Sequence, residues 1–268
     1  MVCAASSFVT APHIGIFDSG VGGLSILRAL LARQTGARFT YVADTAHAPY
    51  GQRSTDEVLA RARRLSAHLL THGARCVVVA CNTATTQTIA QLRAEFPQAA
   101  FVGVEPGVKP AAALTRSGRI GVMATPGTLA SERFATLVAR HAQHCEVVPV
   151  ACPGLASAIE EGLPNPRVDA LLDTFCLPLR QTHVDVVALG CTHYPFVAEQ
   201  VARRLGSHVQ IVDTADAVAR RTFSLLNVPL TPALGPSPEL HTTGDADVLA
   251  RHAHTLLGAD WLAKHIAA

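Results

Sequence analysis

The sequence predicts an α/β protein made of two similar, doubly wound, mostly parallel-sheet domains with an active-site cleft between them. Three observations carry that expectation. Short β-branched runs alternate with amphipathic stretches along the 268 residues, the pattern of successive βαβ units. Two of the runs, Val77-Val78-Val79-Ala80 and Val186-Val187-Ala188-Leu189, lead into cysteines, Cys81 and Cys191, as strands buried on both faces would at their carboxyl ends. The opening strand also recurs. Ile14-Gly15-Ile16-Phe17 has its counterpart in Ile120-Gly121-Val122-Met123, at nearly the offset that separates the two cysteines, which suggests a duplicated domain.

In chain order, 13–17 reads as a strand, Asp18-Ser19-Gly20-Val21-Gly22-Gly23 as a glycine-rich turn, and 24–33 as a helix. A strand at 39–43, a polar loop at 44–51 and a helix at 54–71 follow. The Val77–Ala80 strand, a helix at 83–95 and a strand at 101–104 close the first set. Glu105-Pro106-Gly107 breaks the pattern and marks a crossover. The second set has strands at 120–123, 146–150, 184–189 and 209–212. Helices are expected at 129–141, 155–161, 167–182 and 194–205, with a loop at 124–128. The tail from Thr214 is expected to return to the first domain, with a proline-rich loop at 229–238 before a last strand and helix. The domains are therefore 13–104 plus 214–268, carrying Cys81, and 105–213, carrying Cys191. Residues 1–12 read as a disordered extension.

Composition narrows the function. With 49% apolar residues there is ample material for buried cores, and a net charge of +2 gives no reason to expect nucleic acid or an anionic membrane as partner. No apolar run reaches bilayer-spanning length. The first twelve residues lack the charged and apolar regions of a signal peptide. Seven cysteines, an odd number with no CxxC pair, fit reduced thiols in the cytoplasm. The only lysines, Lys109 and Lys264, sit at no strand end beside a phosphate cup, which argues against a Schiff-base cofactor. No second ligand pair at zinc spacing accompanies Cys191 and His193. No cofactor or metal is expected.

Cys81 and Cys191 each follow a buried strand and precede a helix start, a position expected to lower a thiol pKa from about 8.5. Asn82, Thr83 and Thr85 after the first, and Thr192 and His193 after the second, suit a carboxylate ligand or serve as helix caps. The glycine-rich turn is not GxGxxG, and Asp18 stands where a pyrophosphate would approach. There it is expected to orient an ammonium group or assist proton transfer. Tyr50 and Gly51, in Asp44-Thr45-Ala46-His47-Ala48-Pro49-Tyr50-Gly51, are either ligand contacts or turn formers.

Four motifs taken together resemble the glutamate racemases of the aspartate/glutamate racemase superfamily. They are Ile16-Phe17-Asp18-Ser19-Gly20-Val21-Gly22-Gly23-Leu24, Ala43-Asp44-Thr45 through Pro49-Tyr50-Gly51, Ala80-Cys81-Asn82-Thr83-Ala84, and Gly190-Cys191-Thr192-His193-Tyr194-Pro195. The resemblance runs from Ile14 to about Leu257. It implies cofactor-independent interconversion of L- and D-glutamate, with the D-isomer destined for peptidoglycan. It also implies that Cys81 and Cys191 exchange protons on opposite faces of the substrate α-carbon, Asp18 assisting the first and His193 the second, with Glu160 a further acid beside the second site. The substrate-binding set it implies is Asp18, Ser19, Tyr50, Gly51, Asn82, Thr83, Thr125, Thr192 and His193. The expected partner is the small-molecule substrate glutamate; a homodimer is compatible with this, and the sequence specifies no oligomeric state. A racemase of aspartate or another acidic amino acid, and a catalytically silent binding or regulatory relative, remain alternatives.

Overall fold

A computed structural model describes residues 11–227 and 233–268. Residues 1–10 of the expected extension over 1–12, and residues 229–232 of the expected loop over 229–238, lie outside the described residues, while the Pro12 carbonyl accepts the Arg38 N–H at 3.0 Å. The strands are β1 (His13–Asp18), β2 (Arg38–Ala43), β3 (Cys76–Val79), β4 (Ala100–Gly103), β5 (Arg119–Ala124), β6 (Glu146–Ala151), β7 (Val186–Gly190), β8 (Gln210–Val212), β9 (Glu239–Thr242) and β10 (Ala263–His265). They form two sheets, ordered β10-β9-β2-β1-β3-β4 and β6-β5-β7-β8. Every pairing between them is parallel.

The repeat seen in the sequence is a repeat of topology. In each sheet the first four strands lie in the order second, first, third, fourth, so β5 to β8 reproduce β1 to β4. The cysteine-bearing strands β3 and β7 occupy equivalent places. Their uninterrupted apolar runs have a direct cause, since both faces of each strand are covered. Cys76 and Val78 pack in one core while Val77 and Val79 pack in another on the opposite face. Val186 and Ala188 divide in the same way from Val187 and Leu189.

The helices are α1 (Leu24–Leu31), α2 (Thr55–Thr71), α3 (Asn82–Glu95), α4 (Val108–Leu114), α5 (Pro126–Leu129), α6 (Glu132–His141), α7 (Leu155–Glu160), α8 (Pro166–Gln181), α9 (Ala198–Leu205), α10 (Ala215–Leu226) and α11 (Ala246–Leu257). Helix α2 shows why such segments form. Ser54 and Glu57 make a reciprocal capping box at its start, satisfying two of the helix's unpaired amides. Val58, Ala62, Leu65 and Leu69 then recur on one buried face. Helix α10 packs on α1 and β4, and β9 and β10 extend the first sheet, so the chain after Thr214 returns there.

Four elements differ from the sequence expectation. Helix α4 follows directly on Glu105-Pro106-Gly107, where the sequence pattern marks only a crossover. The expected helix over 129–141 is divided, because Ser131 accepts the Phe134 N–H at 3.1 Å and starts α6 afresh after the short α5. The segment after His193 begins as a 3₁₀ turn, Tyr194–Val197, before α9. Strand β10 has only three residues and little apolar patterning to announce it. Among the described residues no helix is long and apolar enough to cross a membrane.

Candidate active site

In each sheet the chain winds outward in both directions from the pair β1/β3 or β5/β7. A crevice therefore opens at the carboxyl ends of those strands, where open α/β sheets hold ligands. Asp18 ends β1 and Cys81 follows β3; Thr125 follows β5 and Cys191 follows β7. All four line one cavity of about 370 Å³, a volume suited to a small molecule. Ser19, Tyr50, Gly51, Asn82, Thr83, Glu160, Thr192 and His193 line it too. The cavity thus brings together every site residue named from the sequence except Thr85. That side chain is fully buried away from the cavity, donating to the Val79 carbonyl at 3.0 Å and accepting the Val104 N–H at 3.1 Å. It ties β3 to the end of β4 and is no ligand contact. Thr45, Ala48, Pro49, Ala156, Ser157 and Glu161 also line the cavity. The small residues Ala156 and Ser157, one helical turn before Glu160, are the signal available for the last three.

The glycine-rich turn does not cradle phosphate. Three of its amides are already engaged by carboxylates, Gly23 donating to Asp18 Oδ2 at 2.6 Å, Ser19 to Asp18 Oδ1 at 2.7 Å and Val21 to Glu160 Oε1 at 3.1 Å. Two of its glycines are required by close approach between the two halves of the protein. A Cβ on Gly22 would collide with the His193 ring and lie 2.7 Å from Thr192 Oγ1, and one on Gly20 would fall on the Glu160 carboxylate. Ser25 adds a bridge, donating to the Thr192 carbonyl at 2.9 Å. The Thr83 and Thr125 hydroxyls lie 3.2 Å apart and bridge the two halves on the other flank of the cavity.

Electrostatics divide the site. Asp18 is fully buried, and burial raises its pKa despite the nearby His193 charge and the two amides. His193 Nε2 lies 2.7 Å from Glu160 Oε1, and His193 Nδ1 lies 3.6 Å from Cys191 Sγ. Burial disfavours the imidazolium, but hydrogen bonds to Cys191 and Glu160 outweigh it and hold its pKa well above 6.5. Burial likewise pushes Glu160 up, yet the hydrogen bond and charge of His193 and the Val21 amide bring it below 4.5. The pair is therefore an ion pair at neutral pH.

Cys81 departs from the expected direction. Burial, and then the Asp18 charge, push its thiol pKa upward; the Ala84 N–H at the start of α3 and the Ser19 hydroxyl recover only part. The helix start is present, but desolvation of the sulfur is the larger effect. In this state Cys81 is a thiol, 3.7 Å from Ser19 Oγ. Beside it, the Asn82 side-chain oxygen is buried without a hydrogen-bond partner. An orphaned acceptor on a cavity wall suits a donor carried by a ligand.

Comparison with known proteins shows which family shares this sequence and fold. The profile described as Asp/Glu/Hydantoin racemase matches residues 24–222. Glutamate racemase of Pseudomonas aeruginosa is 46% identical over 220 residues, 82% of this chain and 83% of that protein. Glutamate racemase of Roseiflexus sp. is 42% identical over 252 residues, covering 92% and 93%. Among solved structures, a glutamate racemase of Bacillus anthracis superposes with a TM-score of 0.87 at 30% identity, covering 95% of this chain and 97% of that one. The Escherichia coli glutamate racemase in complex with L-glutamate gives 0.82 at 29% identity, with the same coverage. The Francisella tularensis enzyme in complex with D-glutamate gives 0.82 at 25%, covering 96% and 97%. On the strength of the profile match and these relatives, the chain belongs to the Asp/Glu/hydantoin racemase family.

Proposed function

We propose that this protein interconverts L- and D-glutamate without a cofactor, using Cys81 and Cys191 as the two acid–base groups. The observation that carries the reading is that both cysteines follow equivalent strands of a repeated fold and open into one small-molecule cavity. Inverting a stereocentre by proton exchange needs a base on one face and an acid on the other, and two like groups serve both directions. In one direction the Cys191 thiolate removes the α-proton and the Cys81 thiol delivers one to the opposite face; in the other, the roles exchange. Asp18 and Ser19 assist at Cys81, and the His193–Glu160 pair at Cys191.

Proton abstraction from carbon places charge on the substrate carboxylate, so donors fixed before the reaction lower the barrier. The α3 amides with Thr83 and Thr125 supply donors, Thr192, Tyr50 and Gly51 complete the walls, and the Asn82 oxygen meets the ammonium group. Closure of the two halves, 13–104 plus 214–268 against 105–213, excludes water and gates the site. The relatives named as glutamate racemases, and the similar structures that hold L- or D-glutamate, favour glutamate over other acidic amino acids. The biological role that follows is D-glutamate supply for peptidoglycan in the cytoplasm.

The test is chiral chromatography of L-glutamate and L-aspartate incubated with the purified protein. D-glutamate forming faster than D-aspartate is the expected result. Absence of D-glutamate, or faster aspartate turnover, overturns the assignment.

A further inference from the structure

Asp44, at the end of β2, is fully buried, and its carboxylate gathers an unusual number of partners. The Tyr50 hydroxyl donates to Oδ2 at 2.5 Å and the Thr243 hydroxyl to Oδ1 at 2.8 Å. Arg61, reaching across from α2, sets Nε on Oδ2 at 2.9 Å and Nη2 on Oδ1 at 2.8 Å. His47 Nδ1 lies 3.0 Å from Oδ1. Arg61 also donates to the Ala268 backbone oxygen at 2.7 Å. Burial pushes the Asp44 carboxyl up, but its hydrogen bonds from Arg61, Tyr50 and Thr243 outweigh this and hold it below its ordinary range.

Of these residues, Tyr50 lines the cavity, while Asp44, Arg61 and Thr243 stand behind it. A bidentate arginine fork fixes the plane of a carboxylate, not just its position. That plane in turn fixes the tyrosine hydroxyl that donates to it. The next residue, Gly51, faces the second half of the protein, and a Cβ there would sit 3.5 Å from the Thr125 side chain. The Tyr50–Gly51 wall is thus held from behind by an ion pair and meets the Thr125 loop in front.

We propose that Arg61 is a positioning residue which, acting through Asp44 and the Tyr50 hydroxyl, holds the Pro49–Tyr50–Gly51 wall and so sets how tightly the cavity binds its amino-acid substrate. The inference rests on the racemase reading above and extends it to three residues that touch no substrate. Its mark is a change in KM with little change in kcat, because the wall contacts substrate and transition state alike.

The experiment is a double-mutant cycle of Tyr50→Phe and Arg61→Lys on the full chain, with kcat and KM measured for L-glutamate and Kd for D-glutamate by calorimetry. Lysine keeps the charge and loses the fork; phenylalanine keeps the ring and loses the donor. Each single variant is expected to raise KM and Kd about 5- to 10-fold with kcat within about twofold. The double variant is expected to be no weaker than the weaker single variant, since both act through one contact. Multiplying effects, an unchanged KM, or a fall in kcat alone overturns the proposal. Should Arg61→Lys not fold, Thr243→Val takes its place in the cycle, with a smaller rise in KM. A native chain that neither binds nor turns over glutamate removes the racemase reading and this inference with it. A native racemase whose KM ignores these substitutions removes this inference alone.

Discussion

His193 and Glu160 form a partly buried ion pair, 2.7 Å from Nε2 to Oε1, and the same glutamate oxygen also accepts the Val21 amide of the opposite half. One carboxylate thereby orients the imidazole beside Cys191 and fastens the glycine-rich turn that carries Asp18. The orientation of the imidazole beside one sulfur and the seating of the other half are coupled through this side chain.

The pair makes stability depend on pH in a defined window. His193 has a raised pKa in the folded state, so its contribution is complete below 6.5 and fades as pH climbs toward the folded value. Glu160 has a lowered pKa, so its contribution is complete above 4.5 and fades as pH falls toward its folded value. Glu160→Gln should therefore cost most between pH 4.5 and 6.5. The loss there should be about 2 kcal/mol, as for a hydrogen bond to a charged group. Urea unfolding of both proteins from pH 4 to 9 checks this. A difference that grows above pH 7 would contradict the assigned protonation states.

Gly22 tests the contact between the halves. A methyl group there meets the His193 ring and Thr192, with no left-handed backbone to complicate the result. Gly22→Ala should lower kcat/KM by about 100-fold through misplacement near the reacting groups. Gly258 offers the contrast. Its φ of +66° ends α11 and nothing lies within 4 Å, so Gly258→Ala should cost stability of about 1 kcal/mol and leave the rate unchanged. Steady-state kinetics and thermal melts on the two variants separate the effects.

Six cysteines are free among the described residues, and of these only Cys81 and Cys191 line the cavity. Cys145, half-buried, has its sulfur 4.0 Å from the Ala112 carbonyl. Cys145→Ser should keep kcat within about twofold, as surface substitutions away from a site do. A large loss would mean that thiols outside the cavity take part.

Much of this arrangement was legible because local pattern and global fold agree. Val77 to Val79 and Val186 to Leu189 are apolar without alternation, which only strands covered on both faces tolerate, and their ends place Cys81 and Cys191. Other features depend on partners far away in the chain. Asp44 meets Arg61 across 17 residues and Thr243 across 199, and no spacing rule links such positions. The direction of the Cys81 shift was also beyond local reading, because it turns on how completely the fold removes water from the sulfur. Helix α4 was hidden by its length of seven residues and its internal proline at Pro110.

Whether Cys81 and Cys191 act on the two faces of one α-carbon is decided by racemisation of L-glutamate and of D-glutamate in deuterated water by the native protein, Cys81→Ala and Cys191→Ala. Proton NMR follows loss of the α-hydrogen, and chiral chromatography follows inversion. Exchange and inversion are expected in the native protein, and a loss of inversion of at least about 10³-fold in each variant, within the range for removing a positioned acid or base. Native-rate inversion by either variant would contradict this role for the two cysteines.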